Sequence, residues 1–420
     1  ENREHLALTT GCSGTDIAKA TLSGLLDAYA RHGAAASCMV VKTNWAYENN
    51  ATAVRWLQEI METHIIFTNI NDIHRDLATA EVFVRGEAQG LYEMPTTAGD
   101  FFVAGFSCKD VSAYNTRRGS FEKCIIEASG STGGTFRGAF MHILTHCPLF
   151  VVLENVRGIR GHNLNLVTTA LRVAGYLVTV VCLNSGDHGL AHRRHRVYIV
   201  AVLSMASKDV ATNAAVQHET EEMEVMVRQP QLPLDYFLLG SDDTLYTQQV
   251  VELKSKKQDD IPGAGRKTKG GKKMEWPRLY RKIWEDHGIM QVPEMHPVGE
   301  RIAERWPMTL REKNVLNFTL RTASAETMSP GNVTIVDVSQ SLGRAPTAIN
   351  QCPCITPGGR YIIIYGDDFF ITNDTPPTIY KSRFLVCAEL HVVRALSRVV
   401  LCTHARTLSR RHFKEKSRKR

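Results

Sequence analysis

Asp100-Phe101-Phe102-Val103-Ala104-Gly105-Phe106-Ser107-Cys108-Lys109-Asp110-Val111-Ser112 is the stretch on which the reading of the fold turns. The apolar run Phe101 to Ala104, closed by Gly105, predicts a short strand buried in a parallel sheet. The loop that follows presents one thiol, Cys108. In open α/β sheets the functional groups sit just past the carboxyl ends of strands, which suits a nucleophile. A free cysteine is also commonly a small buried apolar residue. On this stretch alone both readings stand.

Upstream, Leu6 to Thr10 predicts a strand that runs into the turn Gly11-Cys12-Ser13-Gly14-Thr15-Asp16. A helix follows, with Leu22, Leu25, Leu26 and Tyr29 on one face and Gly33 past its end. Strand, glycine-rich turn and helix open nucleotide-type α/β folds, although glycine also serves tight turns for steric reasons alone. A second strand, Cys38 to Val41, is expected to lead to Asn44 and Trp45, and a third, Ile65 to Thr68, to Asp72 and Ile73. Asn44 and Asp72 then fall where such folds hold a ribose and an adenine amino group, but both residue types also favour turns.

Downstream, the Gly/Ser-rich piece Gly130-Ser131-Thr132-Gly133-Gly134 reads as a mobile connection ahead of a helix from Arg137 to His146. The continuous apolar run Leu149 to Leu153 predicts a central strand delivering Glu154-Asn155-Val156. A further run, Leu177 to Leu183, precedes Gly186-Asp187-His188-Gly189. His192-Arg193-Arg194-His195-Arg196 then enters a strand from Val197 to Leu203. Alternating strands and helices predict an α/β fold with a mostly parallel, Rossmann-like sheet.

The 420 residues suffice for two or three domains, and 43% hydrophobic with 22% charged residues is ordinary for a globular protein. No apolar run reaches membrane-spanning length, the first residues show no signal-peptide pattern, and the ten cysteines have no metal or disulfide spacing. No membrane, no metal and a reducing intracellular compartment are therefore expected. From Arg406 to Arg420 eight basic residues face only Glu415, which accounts for the whole formal excess of +7. Such a tail binds nucleic acid, addresses a protein to the nucleus or is simply solvated. Composition shifts near residue 205, and Lys254 to Lys273 carries eight Lys or Arg among glycines, with Trp276, Tyr280 and Trp306 beyond. That loop suits either a phosphate backbone or a solvated linker.

A thiol, a carboxylate and an arginine pair past the strands of one sheet form the set that substitution at C5 of a cytosine requires. A thiolate adding at C6 makes C5 nucleophilic, an acid at N3 relieves ring charge, and arginine forks hold O2 or a phosphate. Gly105 to Ser112, Glu154-Asn155-Val156 and His192 to Arg196, in that order, resemble the C5-cytosine DNA methyltransferases. So do Arg344 in S-Q-S-L-G-R-A-P, Pro353 and Gly358-Gly359-Arg360-Tyr361.

The resemblance implies Cys108 as nucleophile, Glu154 at N3, Arg196 on the flipped base, Arg194 supporting the loop or a phosphate, and Asn155 bracing the Cys108 loop. Ser112 and Arg344 join Asn155 on the substrate side, and Gly11, Gly14, Asn44, Trp45, Asp72, Ile73 and Phe140 surround S-adenosylmethionine. The implied organisation is a catalytic core over 1–204, a smaller target-recognition module over 205–336 containing the basic loop 254–273, a return to the core over 337–405 and a basic tail over 406–420. The implied partner is double-stranded DNA with its cytosine flipped out, in the nucleus.

The sequence departs from the family at several points. Ser107 and Lys109 replace Pro and Gln around the nucleophile, and Lys109 brings a cation next to a thiol whose free pKa is ~8.5. His192 stands for Gln, Asn44 for an acid, and a Thr for an aromatic in the glycine-rich turn. No Gly-Asn-Ser/Ala-Val stretch follows Ala388-Glu389-Leu390, which leaves that part of the cofactor site to be completed from elsewhere, a partner chain being one source. Two rival readings follow: the same chemistry on RNA, and a methyltransferase-like protein that binds DNA or a partner without catalysis. Target sequence and oligomeric state are not legible.

Overall fold

A computed structural model describes residues 5–14, 16–31, 40–84, 87–113, 115, 122–188, 191–204, 234, 276–291, 293–305, 308–324, 329, 331–340, 342, 347–353 and 361–365. Among these, 5–188 and 195–204 form one compact unit, and 191–194 with 234–365 form another.

The first unit runs β1 (His5–Gly11), α1 (Ile17–Arg31), β2 (Val40–Tyr47), α2 (Ala51–Glu59), β3 (Ile65–Phe67), β4 (Leu77–Val84), β5 (Glu87–Pro95), β6 (Phe101–Ala104), α3 (Gly130–His146), β7 (Phe150–Val156), α4 (His162–Val173), β8 (Tyr176–Asn184) and β9 (His195–Leu203). Nine strands make one sheet in the order β5-β4-β3-β2-β1-β6-β7-β9-β8. β3, β2, β1, β6 and β7 are parallel neighbours, while the hairpin β4–β5 and the pair β9–β8 attach antiparallel at opposite ends. This is the expected Rossmann-like α/β sheet. The chain leaves β1 toward β2 on one side and returns through β6 on the other, so the order reverses between β1 and β6. A crevice opens outside the strand ends at such a switch point.

β6 is the strand the sequence predicted, residue for residue. β6 pairs at both edges, with β1 and β7, and is buried on both faces: Phe101 packs with Ala18, Leu22 and Leu26 of α1, and Phe102 and Ala104 face the main core. Phe102 joins Trp45, Phe67, Phe106, Phe136 and Leu153 in the main core.

Several expectations are corrected. β2 does not stop at Val41 but continues to Tyr47, so Asn44 and Trp45 lie within the strand. The Gly/Ser-rich piece Gly130–Gly134 is the opening of α3 rather than a mobile connection. Gly in a helix costs about 1 kcal/mol relative to Ala, yet here close packing demands it. A Cβ on Gly133 would stand 2.0 Å from the Cys124 carbonyl oxygen. The hairpin β4–β5 was not anticipated at all.

In the second unit, α5 (Trp276–Asp286), α6 (Pro297–Arg305) and α7 (Leu310–Thr322) accompany a three-stranded antiparallel sheet. Its order is β11-β10-β12, from β10 (Val333–Asp337), β11 (Thr347–Ile349) and β12 (Tyr361–Tyr365). Trp284, Ile302, Val315, Leu316, Val336 and Ile362 form its core. The return to the catalytic core expected at residue 337 is therefore corrected: the chain stays in this unit, because β10 must pair with β12 to bury Val336 and Ile362 together. Residues 191–194 belong here too, since Arg193 N donates to Cys352 O at 2.8 Å and Cys352 N donates to Ala191 O at 2.7 Å. The basic loop 254–273, Arg344, Gly358–Arg360, the helix expected from Arg383 and the tail 406–420 lie outside the described residues. No described helix is long and apolar enough to cross a membrane.

Candidate active site

The loop after β6 is fastened from three directions. Phe106 is buried against Phe136 of α3, and Val111 is buried beside Gly158, where a Cβ would meet the Val111 carbonyl oxygen at 1.8 Å. Asn155 at the end of β7, itself buried, donates its amide to Phe106 O at 3.0 Å. The opening of α3 supplies the rest. Thr135 Oγ1 accepts from Ser107 N at 3.0 Å, Thr132 Oγ1 accepts from Asp110 N at 3.1 Å, and Asp110 Oδ2 accepts from Thr132 N at 2.6 Å. Ser131 Oγ lies 2.9 Å from Ser107 Oγ. Cys108 therefore sits, half-buried, in a loop whose neighbours on both sides are held to β7 and α3. Ser112 N closes the turn on Cys108 O at 2.9 Å.

Antiparallel pairing of β7 with β9 sets Val156 opposite Arg196 and Glu154 opposite Tyr198. Glu154 and Arg196 are then diagonal neighbours on one face, within reach of long side chains. They meet: Arg196 Nε lies 2.6 Å from Glu154 Oε1, with side chains 12% and 24% exposed respectively. A charge-assisted contact of this length fixes both groups. A Cβ on Gly105 would lie 3.4 Å from Glu154 Oε2, so the start of the Cys108 loop passes over this carboxyl.

An open cleft of about 600 Å³, counting the solvent at its mouth, lies at the switch point. Thr10, Gly11, Cys12, Ser13 and Asp16 line one wall, and Val103, Gly105, Val152, Glu154 and Tyr198 the other. Burial, helped by Glu48, pushes the Cys12 thiol up to about 12, which keeps it neutral and inert. Asp16 is 1% exposed, and burial pushes its carboxyl up to about 6, partly opposed by Lys19.

The predicted cofactor residues divide. Gly11 lines the cleft, and Gly14 N donates to Glu48 Oε2 at 2.8 Å. Asp72 follows β3, held by Asn69 at 2.6 Å and Arg75 at 3.2 Å. Phe140 is half-buried and stacked on Phe136. Asn44 reaches only Ala98 O, at 3.4 Å. Trp45 and Ile73 are buried, 1% and 0% exposed, with Trp45 packing on Phe67 and His142. Arg194 belongs to the second unit.

Sequence reasoning missed Glu48 and passed over Asp16. Glu48 is the acid that follows β2, and its Oε1 also accepts from Asn49 N and Asn50 N at 2.9 Å. Ending β2 six residues early hid it. Among the described residues no cluster of His, Cys, Asp or Glu could hold a metal.

A parallel sheet with a ligand cleft at its switch point, a clamped thiol loop beyond one strand and an acid–guanidinium pair beside it define a Rossmann-like methyltransferase domain. The chain belongs to the C-5 cytosine-specific DNA methylases, whose family model matches residues 28–325. It is 26% identical over 383 residues to a DNA (cytosine-5-)-methyltransferase, DMT5, of Cryptococcus neoformans var. grubii, covering 85% of this chain and 14% of that protein. It is 31% identical over 114 residues to the type II methyltransferase M.Sau3AI of Staphylococcus aureus, 26% of each chain. A crystal structure of the S. pombe Dnmt2 methyltransferase aligns with a TM-score of 0.31 at 14% identity, over 57% of this chain and 61% of that one. The chain thus spans well under two thirds of the curated relatives it matches.

Proposed function

We propose that this chain transfers a methyl group from S-adenosylmethionine to C5 of a cytosine flipped out of duplex DNA. The observation that carries this reading is the Glu154–Arg196 pair at 2.6 Å, beside a cleft at the switch point and under the loop that bears Cys108. Extruding the base brings its ring edge to groups that cannot enter a stacked duplex.

The Cys108 thiolate adds to C6, and ring electrons shift toward N3 and C5. Glu154 and N3 share a proton, and its transfer toward N3 relieves the charge that builds on the ring; the proton returns to Glu154 when the sulfur departs. Arg196 holds Glu154 in register and turns its remaining donors to the base. After C5 has taken the methyl group, its proton leaves to a base and the Cys108 sulfur departs, restoring the ring. Asn155 keeps the Cys108 loop in place through Phe106 O. When bound, the cofactor supplies the electrophilic methyl on a sulfonium.

The residues present fit that cofactor. The Glu48 carboxylate stands where a ribose diol is held, Gly11 to Gly14 present backbone, and Asp16 lines the same cleft as Gly11. Arg194, Ser112 and Arg344 remain candidates for the DNA side. The same reading places the protein in the nucleus, with the basic tail as its address, and leaves room for a partner chain to complete the cofactor site.

Labelled methyl transfer to unmethylated duplex, hemimethylated duplex and transfer RNA, side by side, tests the proposal. Incorporation into a duplex that is lost in Cys108→Ala is expected. Incorporation into transfer RNA alone supports the RNA reading. No incorporation by a chain that binds duplex DNA supports a non-catalytic binder.

A further inference from the structure

Asp110, in the loop that bears Cys108, is 8% exposed, and the transfer chemistry gives it no task. Burying a carboxylate is costly unless it is hydrogen-bonded or paired, and the partner here is the first turn of α3. The N–H groups that open a helix have no acceptor within it, and the side chain of the residue just ahead ordinarily supplies one. Ser129 holds that place, and its side chain makes no such bond. The first turn also carries no acidic residue. Asp110 fills the role from 22 positions upstream. Its Oδ2 accepts from Thr132 N at 2.6 Å, and Thr132 Oγ1 accepts from Asp110 N at 3.1 Å. These are the reciprocal bonds of a capping box, with the Cys108 loop standing in for the residue ahead of the helix. A carboxylate at this end also meets the positive end of the helix dipole.

Helix and loop depend on the box alike. α3 opens Gly130-Ser131-Thr132-Gly133-Gly134, weak helix formers whose own propensity does little to hold a first turn. In the loop, Ser107 and Asp110 bracket Cys108 and Lys109, and both are bonded to that opening of α3, Ser107 N through Thr135 Oγ1 at 3.0 Å. Asn115 extends the hold by donating to Asp110 O at 3.3 Å. The thiol loop and the first turn of α3 are thus ordered together.

We infer that Asp110 is a positioning residue for the reaction: by capping α3 it fixes where the Cys108 thiol stands when the pyrimidine arrives. It touches no reacting atom and acts through the loop. The inference rests on the proposed methyl transfer through Cys108 and adds a residue to it.

The test compares the full chain with Asp110→Ala, Asp110→Asn and Ser129→Ala, by steady-state methyl transfer to duplex DNA, calorimetric affinity for S-adenosylhomocysteine, thermal melting and hydrogen exchange. In Asp110→Ala, kcat is expected to fall roughly ten- to hundred-fold, the scale of a reacting group displaced by about 1 Å, while KM for the duplex and affinity for the cofactor product stay as in the parent. Exchange should quicken over 106–112 and 130–135 together and not in the rest of the sheet. Asp110→Asn keeps an acceptor for Thr132 N and should recover part of the turnover. Ser129→Ala should match the parent, because that side chain does not cap the helix. Parental kcat in Asp110→Ala overturns the inference, as does a loss that lies in KM alone, or a lower melting temperature with turnover intact below it. Exchange quickened in one segment only, or a loss in Ser129→Ala equal to that in Asp110→Ala, overturns it too. An unaltered chain that transfers no methyl group to any nucleic acid fails the transfer reading instead, and the positioning role falls with it; the exchange result tells the two failures apart.

Discussion

Two acids, one half-buried and one buried, share one cleft and live under different conditions. On the β7 side Glu154 is gripped by Arg196 at 2.6 Å, and a neighbouring asparagine anchors the loop overhead. On the β1–α1 side Asp16 is almost completely buried, and Lys19 alone opposes that burial, through its backbone N–H and its charge. The first wall is held by a tight ion pair and suits a group that must be oriented before the base arrives. The second wall holds its acid chiefly by burial.

The most severe way to break the preorganised wall is Cys108→Ala. Methyl transfer is expected to fall by at least about a thousand-fold, as loss of a nucleophile does, while calorimetric affinity for S-adenosylhomocysteine stays unchanged. Next, Glu154→Gln is expected to cost roughly 10²- to 10⁴-fold in turnover, the scale of a general acid. Arg196→Ala should lower turnover as well and, because the pair is partly screened by solvent, reduce stability by only about 1–2 kcal/mol. A double-mutant cycle in denaturant should show the two changes coupled, which separates the pair from two independent contacts.

The β1–α1 wall gives an effect of opposite sign. Asp16 has its folded pKa raised from 3.8 to about 6. The neutral form is favoured in the folded state, so this group's contribution is most favourable below about pH 4. Stability is lost as pH rises through about 6, and the deficit is constant above that. Asp16→Asn is therefore expected to raise the stability of the unliganded chain at pH 7 by up to about 3 kcal/mol. The gain should vanish toward pH 4, as read from unfolding curves at several pH values. A change in turnover smaller than that of Cys108→Ala or Glu154→Gln is expected at Asn155→Ala. Loss of the bond to Phe106 O should cost roughly 1–3 kcal/mol and slow turnover with no change in cofactor affinity.

The two walls also differed in how far the sequence disclosed them. β6 and the position of Glu154 could be read because continuous apolar runs with polar residues at their ends survive any packing detail. Arg196 could be read for the same reason, at the mouth of β9. On the other wall, β2 carries Lys42, Thr43 and Asn44 in mid-strand, which looks like a strand end, so Glu48 went unseen and Asn44 took its place. Asp16 looked like an ordinary turn residue, because nothing local in a sequence reveals that an acid will be almost fully buried. The glycines of α3 misled in the same way. Gly133 is required by its contact with Cys124, a residue close in sequence but brought under the helix only by the loop's fold. The boundary at 337 failed because strand pairing across 333–365 is non-local.

The most direct measurement of the central claim is covalent capture. The chain is incubated with S-adenosylmethionine and a duplex carrying 5-fluorocytosine, whose C5 fluorine cannot leave as a proton does. The mixture is then resolved under denaturing conditions. A protein–DNA species joined through Cys108, and missing from Cys108→Ala, is the predicted result. A species that persists in Cys108→Ala, or none at all from a chain that binds both the duplex and the cofactor, would contradict the account.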